Sequence, residues 1–195
     1  MKKPSPKLIQ LASEGLIPLL GLLLWGWSLY FILLFYFFDL IANEGIMHLK
    51  SIKTIRFQGL KTQDWIKYGS MSLLTLLIAI LVIHFSLMFI HPEIDFLNEF
   101  LAFWNYEELG IKQGYFLVPL IVFVSIQQYK MEFLIRGTYQ KAIVNKIWKI
   151  HIQALLVIIA FAGLCLGVSQ FVVFPEAVYV LGIIGLSTIY KLRFN

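Results

Sequence analysis

The stretch GLIPLLGLLLWGWSLYFILLFYFFDLIANEGI, residues 15–46, decides how the rest of the chain is organised. From Gly15 to Phe38 it carries no charged side chain, a run of 24 residues. About 20 consecutive apolar residues are enough for one helix to cross a bilayer. We therefore expect this stretch to lie in a membrane, with an interruption at Gly26-Trp27-Ser28.

The composition of the whole chain agrees with a membrane location. Of its 195 residues, 59% are apolar and 16% aromatic, and the mean hydropathy is +0.81. Only 14% are charged, whereas soluble domains have about 25%. The formal net charge of +5 comes from short basic segments beside apolar runs, a pattern typical of anchoring to anionic lipid. We expect one integral membrane domain, residues 1–195, with membrane lipids and no nucleic acid as partners.

The sign of the connecting segments sets the expected topology. Segment 50–67 has five basic residues and one acidic, and segment 136–149 has four basic residues. Segment 92–112 instead has five acidic residues and one basic. The positive-inside rule then places both chain ends and the two basic segments on the cytoplasmic side of the cell membrane, and segment 92–112 outside.

The opening stretch must cross the membrane an even number of times if the N-terminus and segment 50–67 lie on the same side. A helical hairpin meets this requirement, with Gly26 in the turn and Ser28 as the N-cap of the second helix. Trp25 and Trp27 are then expected in the aromatic belt at the outer surface. The alternative is a single span with the N-terminus outside, which would put Lys2 and Lys3 on the wrong side.

The predicted fold is all-α, a polytopic transmembrane helical bundle of about six spans with both ends inside and one amphipathic helix on the outer surface. The expected spans cover residues 8–25, 28–49, 70–90, 114–136, 147–171 and 177–190, and the amphipathic helix covers 93–109. In that helix Phe96, Phe100 and Phe103 recur at helical spacing among acids. Gly163 and Gly167 in the fifth span, together with Gly182 and Gly185 in the sixth, predict a close approach of these two spans.

Several polar residues fall below the predicted membrane surface. Asp39 lies 13 residues beyond Gly26, or about 20 Å below the outer surface of a core about 30 Å thick. A carboxylate at that depth is costly and indicates function, unless tilt or local thinning leaves it near the inner headgroups. Asp39 and Asn43 share a helix face, with Tyr36 one turn above.

A second pair of polar residues, and polar residues on two further predicted helices, lie at the same expected depth in the membrane. Glu44 and His48 are also four residues apart, on a face rotated by about 140°. Glu132 can form an ion pair with Arg136 on the fourth span, and His151 opens the fifth. We predict an inner-leaflet polar cluster centred on Asp39 and His151. Its candidate members are Tyr36, Asp39, Asn43, Glu44, His48, Glu132 and His151.

Such a cluster could bind a metal ion or act in general acid–base catalysis, since a carboxylate and two imidazoles suffice for either. The chain has no H-E-x-x-H spacing, and its one cysteine, Cys165, lies in an apolar run. We therefore expect no metal site and no cofactor, and the catalytic residues of any activity stay unknown.

Two patches of the chain, residues 16–50 and 146–191, resemble a family of small polytopic prokaryotic membrane proteins of unknown function. The resemblance is carried by Leu16-Ile17-Pro18-Leu19-Leu20-Gly21, by Gly26-Trp27-Ser28, by Leu34-Phe35-Tyr36-Phe37-Phe38-Asp39 with Lys50, by Lys146-Ile147-Trp148-Lys149-Ile150-His151 and by Lys191. The chain departs from the family pattern at Phe37 (Trp in the family), Asp39 (Glu) and Lys146 (Arg). The resemblance implies that Asp39 and His151 belong to one recurring feature, and it implies no activity.

Three functions fit these observations. The first is a non-catalytic membrane protein that binds a protein partner or lipid and stabilises a larger assembly. The second is an enzyme acting on a lipid or small amphiphile at the cytoplasmic leaflet, with His151 as base and Asp39 as its orienting group. The third is a proton- or ion-coupled carrier that uses Asp39 and Glu132, although no internal repeat typical of carriers is evident.

Overall fold

Helices account for most of the chain in a computed structural model. The structure describes residues 6–108, 110–172 and 174–194. Side chains are described for residues 15–107, 110–172 and 174–189. The α-helices are α1 (Pro6–Leu24), α2 (Leu29–Gln58), α3 (Gln63–Ile90), α4 (Phe96–Asn105), α5 (Gln113–Gln128), α6 (Val144–Ser169) and α7 (Glu176–Phe194). A π-helical segment (Tyr129–Ile135) continues α5, and a 3₁₀ turn (Thr138–Gln140) follows it. Two short antiparallel strands, β1 (Glu107–Glu108) and β2 (Ile111–Lys112), join α4 to α5.

The predicted all-α class is confirmed. Four helical stretches are long and apolar enough to cross a membrane: Leu29–Gln58, Gln63–Ile90, Gln113–Ile135 and Val144–Ser169. The apolar stretches Gly15–Leu24 and Glu176–Ile189 are shorter. The number of six spans and the orientation of the ends stay predictions. Lys2 and Lys3, on which the orientation depends, lie outside the described residues.

The second helix forms the centre of the bundle. It contacts each of the other six α-helices, and its nine residues from Leu29 to Phe37 are all buried. A helix of 30 residues is about 45 Å long, which exceeds the roughly 30 Å of a bilayer core. The most extensive contact between two helices is that of α3 with α6, which run in the same direction.

Charged residues divide between the two ends of the bundle. The end where α2 stops and α3 and α6 start carries mostly basic residues, and we name it the basic end: Lys50, Lys53, Arg56, Lys61, Lys141 and Lys146. The opposite end carries mostly acidic residues, and we name it the acidic end: Glu93, Asp95, Glu99, Glu107 and Glu176. The segment 50–67, expected as a connection, is mostly helical, because α2 continues to Gln58 and α3 starts at Gln63.

The turn between α1 and α2 is where the sequence predicts it. Gly26 has φ of +63°, a conformation that glycine adopts without steric cost. Ser28 is the N-cap of α2, and its Oγ accepts a hydrogen bond from the backbone N–H of Phe31 at 3.1 Å. The same hydroxyl donates to Glu99 of α4 at 2.7 Å. The helix break and its cap are therefore confirmed.

Trp27 is buried in the bundle, and only 3% of this residue is exposed. Its indole folds back over α1 and lies against Gly21, where a side chain would overlap the ring. It also packs on Phe31, with ring centroids 4.4 Å apart. The missing side chain of Gly21 provides the space for the indole, and the position of Trp27 at the level of the outer membrane surface stays a prediction.

The amphipathic helix exists as α4, somewhat shorter than the predicted 93–109. Asp95 is its N-cap and accepts hydrogen bonds from the backbone N–H groups of Leu97 and Asn98, both at 3.1 Å. Phe103 is fully buried, with its ring 4.7 Å from that of Phe31. This part of the apolar face of α4 therefore packs on the bundle.

The glycine pair of α6 does not bring α7 close. A Cβ atom placed at Gly163 or Gly167 would meet no atom within 4 Å. Gly182 of α7, a small residue that the sequence also predicts at this contact, does lie close to α6, since a Cβ there would be 3.0 Å from Cζ of Phe161. A Cβ at Gly185 would meet no atom within 4 Å. The spacing of the pair was right for helix packing, but its face is turned away from the neighbouring helix.

Replacing Gly21 by alanine should destabilise the protein by about 1–3 kcal/mol, because the added methyl group overlaps the indole of Trp27. The matched control is Gly45→Ala in α2, where the methyl group meets nothing within 4 Å and alanine improves helix propensity by about 1 kcal/mol or less. Thermal unfolding of the full chain in detergent micelles measures both. Equal unfolding temperatures for Gly21→Ala and the unmodified chain would contradict the packing described.

Candidate polar centre at Glu44

A buried carboxylate joins three helices near the basic end. Glu44 of α2 is 3% exposed. Its Oε2 accepts a hydrogen bond from Ser72 Oγ of α3 at 2.8 Å and lies 2.7 Å from Nε2 of His151 in α6. Its Oε1 lies 3.3 Å from Nε2 of His48, one turn further along α2. Glu44, His48, Ser72 and His151 form what we call the Glu44 cluster.

The protonation of His48 follows from its second partner. Trp65 Nε1 lies 2.9 Å from His48 Nδ1. An indole nitrogen can only donate, so Nδ1 accepts and carries no proton. The proton of a neutral His48 is therefore on Nε2, the nitrogen that faces Glu44. This tautomer is an assignment from hydrogen-bond chemistry.

Aromatic and glycine packing fix the position of the His48 ring. Trp148 is fully buried and contacts the imidazole edge to face, with ring centroids 4.9 Å apart. Gly69 of α3 lies on another side, and a Cβ atom there would be 2.8 Å from His48 Cε1. The ring therefore occupies a slot that a larger residue at position 69 would close. Its side chain is 24% exposed, so one edge remains reachable from outside.

The cluster places a carboxyl group inside the helical bundle. A buried carboxylate is costly unless it is paired and hydrogen-bonded. Here an imidazole and a hydroxyl contact one oxygen, and a second imidazole lies near the other. Such a group can share a proton among three sites, hold α2, α3 and α6 in one arrangement, or act as a general acid and base.

Metal binding is not supported by this geometry. Among the side chains that the structure describes, no group of three or more His, Cys, Asp or Glu residues is placed to hold a metal ion.

The other predicted members of the cluster lie in three different environments. Tyr36 and Asp39 line an apolar cavity between α2, α3, α6 and α7. Glu132 lies in the π-helical segment, where Gln128 Nε2 is 3.5 Å from its Oε2. Asn43 is buried on α2, and its Nδ2 has no hydrogen-bond partner among the described residues.

Two predictions about the centre require correction. His151 contacts the carboxylate of Glu44 at 2.7 Å, whereas Asp39 lines the apolar cavity, so the cluster is centred on Glu44. No ion pair joins Glu132 to Arg136 within the described part of the chain, because the π-helical segment changes the angle between residues four apart.

Sequence reasoning missed two members of this environment, Ser72 and Trp65. Both lie on α3, with Gly69 between them at spacings of four and three residues. A small residue flanked by a hydroxyl and an indole on one face of an otherwise apolar helix is the signal that could have shown them. Sequence reasoning also missed the pairing of Tyr30 with His84. The hydroxyl oxygen of Tyr30 lies 3.0 Å from Nε2 of His84.

Comparison with known proteins gives no match: no protein family, curated protein or solved structure matches this chain. The resemblance to the family of small polytopic membrane proteins stays an expectation carried by the residues quoted above. The candidate centre is defined by its own geometry.

Removing the carboxylate should have a large effect on stability. We expect Glu44→Ala to lower the free energy of unfolding by about 3–5 kcal/mol, because it leaves buried polar groups unpaired. A double-mutant cycle of Glu44→Ala with His151→Ala should give an interaction energy of about 1.5–3 kcal/mol. Denaturant unfolding in mixed micelles measures each variant.

The control cycle pairs His151→Ala with Glu99→Ala, since Glu99 contacts Ser28 at the acidic end. These two changes should add within about 0.5 kcal/mol. Additive effects of Glu44→Ala and His151→Ala would show that their 2.7 Å contact contributes nothing specific.

Proposed function

We propose that this chain is a multi-pass protein of the cytoplasmic membrane that acts as a binding and structural component of a membrane assembly. One observation carries the proposal. Glu44 and His151 are 3% and 2% exposed and lie 2.7 Å apart, so this carboxyl–imidazole pair is enclosed by helices. A general acid or base must come within hydrogen-bond reach of its substrate, whereas a pair that holds three helices together need not.

The proposed topology has six spans, both ends inside and α4 at the outer surface. The separation of a basic end from an acidic end supports it, because basic residues favour the cytoplasmic side. We also propose membership of the family of small polytopic membrane proteins. Gly21 beneath Trp27, and the turn at Gly26 with its Ser28 cap, give physical roles to two of the motifs that carry the resemblance.

Cysteine labelling in whole cells tests the topology. In a Cys165→Ser background, which removes the chain's one thiol, Asn98→Cys places a thiol on α4 and Lys61→Cys places one between α2 and α3. A membrane-impermeant maleimide should label Asn98→Cys in intact cells and Lys61→Cys only after permeabilisation. The background variant alone should remain unlabelled. Labelling of Lys61→Cys in intact cells would reverse the proposed orientation.

An enzyme acting on a lipid or small amphiphile at the cytoplasmic leaflet is the second candidate. Its support is His48, whose side chain is 24% exposed while its Nε2 faces Glu44. A proton could pass through this ring between the surface and the buried carboxylate. In that function Glu44 would orient His151 and hold its charge.

One pair of measurements separates the two functions. The purified chain in lipid nanodiscs is incubated with a total membrane lipid extract, and products are sought by mass spectrometry. Gently solubilised native membranes are run on a native gel, with and without cross-linking. We expect no turnover and a particle larger than the monomer, because the polar pair serves structure and the protein binds partners.

The matched variants are Glu44→Gln, which keeps the shape of the side chain and removes its charge, and Glu107→Gln on the exposed acidic end. Turnover that Glu44→Gln abolishes and Glu107→Gln retains would establish the enzyme and end the structural proposal. A monodisperse monomer without cross-linked partners would also contradict it.

A further inference from the structure

We propose that the cavity between α2, α3, α6 and α7 binds one acyl chain of a membrane phospholipid, with the lipid's ester group at Tyr179. This inference rests on the proposed binding function, since it names a ligand class for it. The site is separate from the Glu44 cluster.

The walls of the cavity are apolar. Its volume is about 110 Å³, and it is lined on α2 and α3 by residues such as Leu33, Phe37 and Leu87. Residues such as Ile158 and Ile183 line it on α6 and α7. An apolar cavity of about 150 Å³ stays free of water and takes a molecule of the size of benzene. The space therefore suits a short stretch of hydrocarbon and not a whole lipid.

The cavity extends along the helices. On α7 its lining runs from Tyr179 to Ser187, eight residues or about 12 Å at the rise of an α-helix. On α2 it runs from Leu29 to Leu40, or about 16 Å by the same measure. A narrow space that follows the bundle axis has the shape of an extended chain, which favours an acyl group over a compact ring.

The side toward α6 and α7 offers the way in from lipid. Phe161, Cys165 and Leu186 line the cavity but are only half-buried. The contact of α6 with α7 is much less extensive than that of α6 with α3, so the packing between α6 and α7 is comparatively sparse. A chain can therefore enter sideways from the bilayer while its headgroup stays outside the bundle.

The ester end is assigned by an unpartnered hydroxyl. Tyr179 is 8% exposed, and its OH has no hydrogen-bond partner among the described residues. A buried hydroxyl without a partner costs about 1–3 kcal/mol, and an ester carbonyl would accept its hydrogen bond. Asp39, toward the other end of the cavity, already interacts within the protein, so Tyr179 is the group that awaits a ligand.

The test uses Cys165, the chain's one cysteine, which lies in the cavity wall. Full-length protein is delipidated in detergent micelles, and alkylation of Cys165 by N-ethylmaleimide is followed by mass spectrometry. Adding dioleoyl phosphatidylcholine should slow alkylation, because its chain covers the thiol. Tyr179→Phe should raise the lipid concentration that gives half-protection about three- to tenfold, the effect of losing one hydrogen bond.

Three controls keep the result specific. Tyr115→Phe, on the exposed face of α5, should leave protection unchanged. Ala162→Leu places a larger side chain in the cavity wall and should abolish protection by lipid. Without lipid, Tyr179→Phe should unfold at the same temperature as the unmodified chain or above it, since it removes an unpaired polar group and keeps the ring against Phe174.

The inference is overturned if phosphatidylcholine does not slow alkylation, or if it protects Tyr179→Phe as well as the unmodified chain. Protection by sodium oleate but not by phosphatidylcholine would also overturn it, because the occupant would then be a free fatty acid. These measurements use the isolated protein, so a negative result would contradict the acyl-chain site and not the proposed role in an assembly. Failure to find an assembly would likewise contradict the proposed function and not the alkylation result.

Discussion

A carboxyl group inside an apolar bundle must be hydrogen-bonded, and this requirement fixes how three helices of the protein meet. Glu44 reaches a hydroxyl on α3 and an imidazole on α6. Turning either helix away would leave a polar group unpaired in an apolar surrounding, at a cost of several kcal/mol. Apolar contacts alone would tolerate small rotations of a helix about its axis, because hydrophobic contact has no preferred direction. The polar cluster therefore selects one relative orientation of α2, α3 and α6.

The parts of the structure that sequence could predict depend on residues close together in the chain. The turn at Gly26 and the cap at Ser28 follow from local backbone chemistry, and Glu44 with His48 follows from helix periodicity. The contact of Glu44 with His151 spans 107 residues, and it depends on how two helices rotate against each other. Depth and the family resemblance both favoured Asp39 as the partner of His151. The rotation of α2 and α6 about their axes places Glu44 beside His151, and residue spacing within one helix does not reveal that rotation.

The interior of the bundle is divided into two unlike regions. Toward the basic end lies the Glu44 cluster, and toward the acidic end lies the apolar cavity. Between them the core is tightly packed, since Ala79 and Leu155 are fully buried and Leu76 is 6% exposed. This layer separates an ionisable centre from a space suited to hydrocarbon.

The long separation of Glu44 from His151 also constrains how the protein is made. Ribosomes add about 5–20 residues each second, so the 107 residues between them take about 5–20 s. During that interval α2 has left the ribosome while α6 does not yet exist. Before α6 is made, the partners of Glu44 come from α2 and α3, namely His48 and Ser72. The contact with His151 is therefore completed only after most of the chain has been synthesised.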